Sequence, residues 1–339
     1  MDWPQTLGKL ATGTDISRIE ARDAMRAVMA GEATHAQTSA LIVALRMKGE
    51  TVDELTGLVE AMREASVKCP VDPPVVDVVG TGGDRSGTFN ISTTAAFVVA
   101  AAGARVAKHG NRSASSKSGA ADVLESLGYP LDLTPEQTAQ LIDETNFGFL
   151  FAPAYHPSMR HAVPVRKELG IPTVFNFLGP LTNPAGATNL AVGVSDGSMA
   201  EKMIEVLRNL GAENAFVYHG QDGLDELSIA APSFIHRLRE GEITVAEFTP
   251  EDFGVDRGSL DDVLGGDAEV NAGILRGVLS GDRGPKRDIV LINASAPLVA
   301  AGLASGFVDG VRVAREVIDT GAAAATLDEV LSRAQALAG

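Results

Sequence analysis

Behind three short polar starts, the first 68 residues repeat apolar side chains at intervals of three and four. Met25, Val28 and Met29 form one run, Leu41, Ala44 and Leu45 a second, and Leu55, Leu58, Val59 and Met62 a third. That spacing lays the side chains along one face of a helix. Ahead of each run stands a hydroxyl with an acid or amide three residues on: Ser17 and Glu20, Thr34 and Gln37, Thr51 and Glu54. This is capping-box spacing, in which each partner satisfies an amide the other leaves open. The pattern predicts three short amphipathic helices ending near Lys68. Helices this short must pack on one another and on something further, another domain or a second subunit. The segment Cys69-Pro70-Val71-Asp72-Pro73-Pro74 breaks helix and places the domain boundary, giving a helical unit over 1–70 and a second unit over 71–339.

From residue 75 the period changes. Strand-like runs at 75–79, 105–107, 147–151, 190–194, 215–218 and 289–292 alternate with helical patterns beginning near Ser92, Gly119, Pro135, His156, Ser198, Asp267, Pro297 and Phe307. Such alternation predicts an α/β domain with a mostly parallel central sheet. Residues 229–253 read instead as an antiparallel excursion around Gly241-Glu242. The tail from Gly321 to Gly339 predicts a final helix, with Thr326 and Glu329 as its cap.

Charge narrows the function. The 339 residues have a net charge of -16, which opposes a non-specific nucleic-acid or anionic-membrane surface. A lone Cys69 excludes an internal disulfide and a Cys-pair metal site, and suits a reducing compartment. The opening residues lack a signal-peptide core, and no uncharged apolar run is long enough to span a bilayer. The expectation is a soluble, cytoplasmic protein. Against this acidic background, the stretch from Arg85 through Ala121 has no Asp or Glu but contains Arg85, Arg105, Lys108, Arg112 and Lys117. It follows Gly80-Thr81-Gly82-Gly83-Asp84 at the end of an apolar β run, and includes Asn90-Ile91-Ser92-Thr93 at a helix start. Glycines admit close approach of a ligand to the backbone, and amides at a helix start attract anions. The stretch reads as a site for a phosphorylated ligand.

Asp225-Glu226 is the best Mg²⁺ candidate, because magnesium takes one or two protein carboxylates and completes its shell with water and phosphate oxygens. The Ser92 hydroxyl is a further candidate ligand. Arg166, between an aromatic, proline-rich stretch at 151–157 and Phe175-Asn176-Phe177, suits a flat carboxylate-bearing ligand. Three familiar patterns fail. The dinucleotide fingerprint has Arg85 at its third glycine, and the P-loop has Thr88-Phe89 where Lys-Ser/Thr is required. The nucleophile elbow Gly193-Val194-Ser195-Asp196-Gly197 has no suitably placed histidine after it, and reads as a strand-to-helix turn with a Ser/Asp cap.

Taken together, the Gly80–Asp84 loop, Asn90 to Thr93, Lys108-His109-Gly110-Asn111-Arg112-Ser113 and Asp225-Glu226 resemble the anthranilate phosphoribosyltransferase family. The segments 44–50 and 177–184 and the pair Asn293-Ala294 extend the resemblance over almost the whole chain. It implies a nucleoside-phosphorylase-like fold, a homodimer through the helical unit joined by helices near 157–182, and Mg²⁺ as cofactor. The substrates it implies are phosphoribosyl diphosphate and anthranilate, with no nucleic-acid or membrane partner. Gly80, Gly83, Asp84, Thr88, Asn90, Ile91, Ser92, Thr93, Lys108, His109, Gly110, Asn111, Arg112, Ser113, Ala114, Ser115 and Ser116 match the phosphoribosyl-diphosphate site. Gly80, Asn111 and Arg166 match anthranilate contacts, and Ser92, Asp225 and Glu226 the metal ligands. No residue stands out as a general base, although His109 is a candidate. The rivals are a pyrimidine nucleoside phosphorylase, which needs no metal carboxylate pair, and a nucleic-acid-binding relative, which needs an extended basic groove.

Overall fold

The structure is a computed structural model that describes residues 1–113 and 117–339. Its N-terminal unit holds four helices: α1 (Trp3–Ala11), α2 (Arg18–Ala30), α3 (His35–Lys48) and α4 (Val52–Glu64). The three expected helices begin at the three expected capping boxes. Helix α1 is additional, begun by Asp2, whose carboxylate accepts from the Gln5 amide, and by a proline in its first turn.

Glu54 does more than cap α4. Its carboxylate accepts from the Thr51 amide at 2.8 Å, the Ile16 amide at 3.0 Å and Lys48 Nζ at 3.0 Å. The side chains of Lys48 and Glu54 are 5% and 0% exposed. Glu54→Ala leaves two amides without their acceptor and the Lys48 ammonium with only Asp15 and the Gly49 carbonyl, so it should cost about 2–4 kcal/mol, against about 1 kcal/mol for Thr51→Ala. Denaturant midpoints of the two variants check this, and equal losses would remove the buried charge pair from the account.

The larger unit is built on strands β1 (Val76–Gly80), β2 (Val106–Gly110), β3 (Phe147–Phe151), β4 (Asn189–Gly193), β5 (Asn214–Gly220), β6 (Ser233–Arg239) and β7 (Glu242–Phe248). Among the described residues they form one sheet in the order β3-β2-β1-β4-β5-β6-β7. The first five strands are parallel, while β6 and β7 are the antiparallel excursion turning at Glu240-Gly241. Helices α5 (Ile91–Ala101), α6 (Ala120–Ser126), α7 (Pro135–Thr145), α8 (Ala152–Tyr155), α9 (Val163–Leu169), α10 (Phe175–Leu178) and α11 (Ala200–Asn209) connect the strands. After the sheet come α12 (Ala268–Leu279), α13 (Pro285–Ala300), α14 (Phe307–Asp319) and α15 (Ala322–Ala338).

Three expectations about this last part are corrected. Residues 289–292 are not a strand but the middle of α13, where Ile289, Val290, Leu291 and Ile292 are all buried. A helix buried on every side shows no polar face, so a short apolar run within it looks like a strand. Pro297 likewise lies inside α13 and does not begin a helix. Thr326 is not a cap, since α15 starts four residues earlier at Ala322.

One face of the sheet packs on α5 and the C-terminal helices, through Val76, Val78, Phe97, Phe216, Leu291 and Leu298. The other face is continuous with the helical unit. Leu190, Val192 and Val217 share a core with Met203 and Leu207 of α11 and with Leu55 and Leu58 of α4. The N-terminal helices thus find their further partner within the same chain. No helix among the described residues is long and apolar enough to cross a membrane.

Candidate functional site

The strand order reverses between β1 and β4, and at such a switch point the strand ends diverge into a crevice that favours ligands. Gly80 and Gly193 end these two strands and are register partners. Neither position has room for a side chain. A Cβ on Gly193 would lie 1.6 Å from the Asp225 carbonyl oxygen, and one on Gly80 would lie 2.5 Å from Asp225 Oδ2. Asp225 is therefore laid across the ends of both strands, where its carboxylate accepts from the Gly82 amide at 2.6 Å. Gly82 and Gly83 turn the loop through φ of 66° and 85°, a region costly for other residues.

Glu226 reaches the start of α5, where its carboxylate accepts from the Ser92 amide at 3.1 Å. A carboxylate is favoured there by the helix dipole. The next residue is held by Asn293 in the middle of α13, whose amide accepts from Leu227 N at 2.8 Å and donates to Leu227 O at 2.9 Å. The acidic pair is thus fixed on both sides, by the strand ends and by a buried helix.

Burial raises the pKa of both Asp225 and Glu226, and Asp84 beside them raises both further. The positive charge facing them is Lys108, fully buried on β2, whose ammonium donates to the Val78 carbonyl and interacts with Asp77, Glu226 and Asp225. Burial lowers the pKa of Lys108 as well. Three carboxylates around one ammonium leave a deficit of positive charge. Among the described residues no group of three or more His, Cys, Asp or Glu forms a cage for a metal ion. Magnesium does not need one, and a buried carboxylate pair short of counter-charge, with a hydroxyl residue at the adjoining helix start, fits Mg²⁺.

Asn90, expected at a helix start, makes no side-chain cap. Its amide donates to the Ser118 carbonyl at 3.2 Å and accepts from Asn271 Nδ2 at 2.9 Å, tying the start of α5 to the end of the basic loop and to α12. Ile91 and Thr93 are 1% exposed, so they can offer a ligand only backbone. Thr88 bridges to Leu264, and Asp84 accepts from Ser86. Gly110 lies against the Phe149 ring, and the Gly119 backbone against that of Arg112 and Ser113. The Arg112 guanidinium is engaged by Asp122 and Glu125, both at 2.8 Å, and the Asn111 side chain accepts from the Arg112 amide. The Ser113 amide donates to Asp122. Ala114, Ser115 and Ser116 lie outside the described residues.

His109 follows Lys108. Its amide donates to Asp77 Oδ1 at 3.0 Å, and its ring lies 5.0 Å from that of His156. Burial first, and then His156, pushes the His109 imidazole down to about 3. Burial pushes His156 down to about 4. A ring this weakly basic is a poor proton acceptor at neutral pH, so His109 fits neutral hydrogen bonding better than general-base work. Arg166 on α9 lies over the Phe175 ring of α10 at 5.3 Å. Its side chain has no ion-pair partner among the described residues, and burial lowers its pKa. The Gly179 backbone, directly after α10, lies near enough to the His109 ring to influence its pKa, which brings the Arg166 region against the end of β2.

Four groups went unassigned in the sequence. Asp77 stands in the middle of β1, where burial raises it to about 6 while Asn183 and the His109 amide bind its carboxylate. An acid inside a run of valines was its signal. Gly193, Asn271 and Asn293 act only through residues distant in sequence.

Comparison with known proteins points to one family. Residues 4–66 match the helical bundle domain of a glycosyl transferase family, and residues 72–324 match its a/b domain. An anthranilate phosphoribosyltransferase of Rhodopseudomonas palustris (strain BisB18) is 50% identical over 337 residues, 99% of each chain. One from Moorella thermoacetica is 52% identical, covering 96% of each. The crystal structure of the Thermus thermophilus anthranilate phosphoribosyltransferase superposes with a TM-score of 0.93 at 43% identity, over 99% of this chain and 100% of that one. The Saccharomyces cerevisiae enzyme, solved in complex with PRPP and Mg, superposes with a TM-score of 0.90 at 27% identity over 98% of each chain. This chain belongs to that glycosyl transferase family, among the anthranilate phosphoribosyltransferases.

Proposed function

We propose that this chain transfers the 5-phosphoribosyl group from phosphoribosyl diphosphate to the amine of anthranilate. The products are N-(5-phosphoribosyl)anthranilate and diphosphate, and the step belongs to tryptophan biosynthesis. The observation that supports this most strongly is the buried Asp225-Glu226 pair set at the sheet's switch point against Lys108.

An aromatic amine is a weak nucleophile, so ribose C1 must become strongly electrophilic before attack. Bound Mg²⁺ supplies positive charge to the leaving diphosphate. In this reading Asp225, Glu226 and the Ser92 hydroxyl hold the ion. Lys108, only 2% exposed, balances the charge of the acids from beneath rather than reaching the phosphates. The glycine loop and the segment that follows Lys108, from His109 to Ser116, bind phosphate oxygens and keep water from the ribose. Arg166 and Asn111 orient anthranilate, with the guanidinium on the acceptor carboxylate, so that the amine approaches C1 opposite the departing diphosphate. The acceptor's own carboxylate can take the amine proton, which needs no basic side chain.

Loss of anthranilate fluorescence on adding phosphoribosyl diphosphate and magnesium to the purified chain, and to the cytosolic fraction of its cells, tests the reaction and its place. An inactive chain that phosphorolyses pyrimidine nucleosides would overturn it. Arg166→Ala should raise the anthranilate KM about ten- to hundredfold, since a hydrogen bond to a charged group is worth about 1.5–3 kcal/mol. Unchanged kinetics would remove Arg166 from the acceptor site. The same reading includes a homodimer through the helical unit. Val163 and Ile171, 50% and 48% exposed around α9, support it as apolar side chains left uncovered in one chain. Light scattering at twice the 35.2 kDa chain mass is the expected result, and a monomer at assay concentration would refute it.

A further inference from the structure

Away from the strand ends, the first turn of α13 and the second half of α14 border an open cavity of about 320 Å³. None of its lining residues belongs to the site described above. Three are arginines, Arg283, Arg287 and Arg315, in a chain of net charge -16. Arg287 is 5% exposed. One of its terminal nitrogens donates to Asp319 Oδ1 at 2.6 Å, but its Nε is buried without a hydrogen-bond partner among the described residues. A buried guanidinium N–H left unpaired is costly, and cavities that hold one commonly take an acceptor from outside the chain.

Arg283 and Arg315 are exposed at the mouth of the cavity, and among the described residues neither is within ion-pair distance of a carboxylate. Two acids share the lining with the three arginines: Asp319 is held by Arg287, and the half-buried Asp288, its pKa raised by burial, feels the opposing charges of Arg287 and Arg315, so the arginines keep one positive charge in excess. The sixteen-residue α13 adds the positive end of its dipole at Gly284. Guanidinium forks match tetrahedral oxyanions in geometry and charge, and the cavity is at the small end of the range for small-molecule sites.

We propose that this cavity is a second anion site, taking a phosphate group, free or as a small phosphate monoester, between Arg283, Arg287 and Arg315. Selective ¹⁵N-arginine labelling of the full chain tests it through the Nε–H signal of Arg287. That signal is assigned with Arg287→Lys, or with Asp319→Asn should the first variant fail to fold. Titrations use inorganic phosphate in one arm and ribose 5-phosphate in the other, at ionic strength held constant with chloride. The expected result is a saturable shift of the Arg287 signal with phosphate and none with chloride, and the tighter arm identifies the source. The double variant Arg283→Gln/Arg315→Gln should weaken that binding about tenfold or more while leaving transfer kinetics unchanged. No shift in either arm, or the same affinity in the double variant, would overturn the assignment.

Discussion

Gly193→Ala should lower kcat by about a hundredfold or more while the chain still folds. The added methyl would sit 1.6 Å from the Asp225 carbonyl oxygen, and the obstacle is backbone on both sides, so no rotamer relieves it. Either β4 or the loop bearing Asp225 and Glu226 must move by more than an ångström, a displacement that costs on the order of 10²-fold in a preorganised site. Stability should fall by only about 1–3 kcal/mol, the usual cost of overpacking. Gly8→Ala is the control: it lies in α1 with nothing within 4 Å of the added methyl, so it should keep full activity and gain up to about 1 kcal/mol. Normal turnover in Gly193→Ala would mean that the acidic pair does not depend on its seat at the strand ends.

Asp225→Asn/Glu226→Gln is expected to move activity and stability in opposite directions. Loss of the charges that hold the ion should cost on the order of 10²–10³ in kcat/KM and raise the magnesium needed for half-maximal rate. Without metal, however, the double variant should melt at a higher temperature than the wild type. Burial raises both carboxyl groups, with Asp84 adding to the shift of Asp225 and Asp225 to that of Glu226, so neutral amides relieve a crowded, desolvated acidic cluster. Magnesium should raise the melting temperature of the wild type only, because a ligand stabilises the state that binds it. Wild-type activity of the variant at low magnesium would sink the metal assignment.

What the sequence disclosed, and what it withheld, follows from how local each interaction is. Capping boxes at Ser17, Thr34 and Thr51 join residues three apart, and they fixed the helix starts correctly. Strands β1 to β5 showed as apolar runs because parallel strands are buried on both faces. The same uniform burial disguised α13. The glycine loop and Asp225-Glu226 were visible because their chemistry is contiguous. Gly193 was not, having been weighed only as part of a nucleophile elbow. Its real constraint is the backbone of Asp225, brought over β4 by the parallel pairing. Asn271 and Asn293 act across 181 and 66 residues, and an isolated asparagine in a helical pattern says nothing of such a partner.

The apolar layer that runs from α4 through α11 onto β4 and β5 has a consequence for how substrates enter. Swinging the two halves of the molecule apart like a clamshell would expose Leu55, Leu58, Met203 and Leu207 to water together, at about 1.5–3 kcal/mol for each side chain. That penalty opposes a wide parting of the two halves and favours entry past the short segments at the strand tips, which can shift without unzipping the interior.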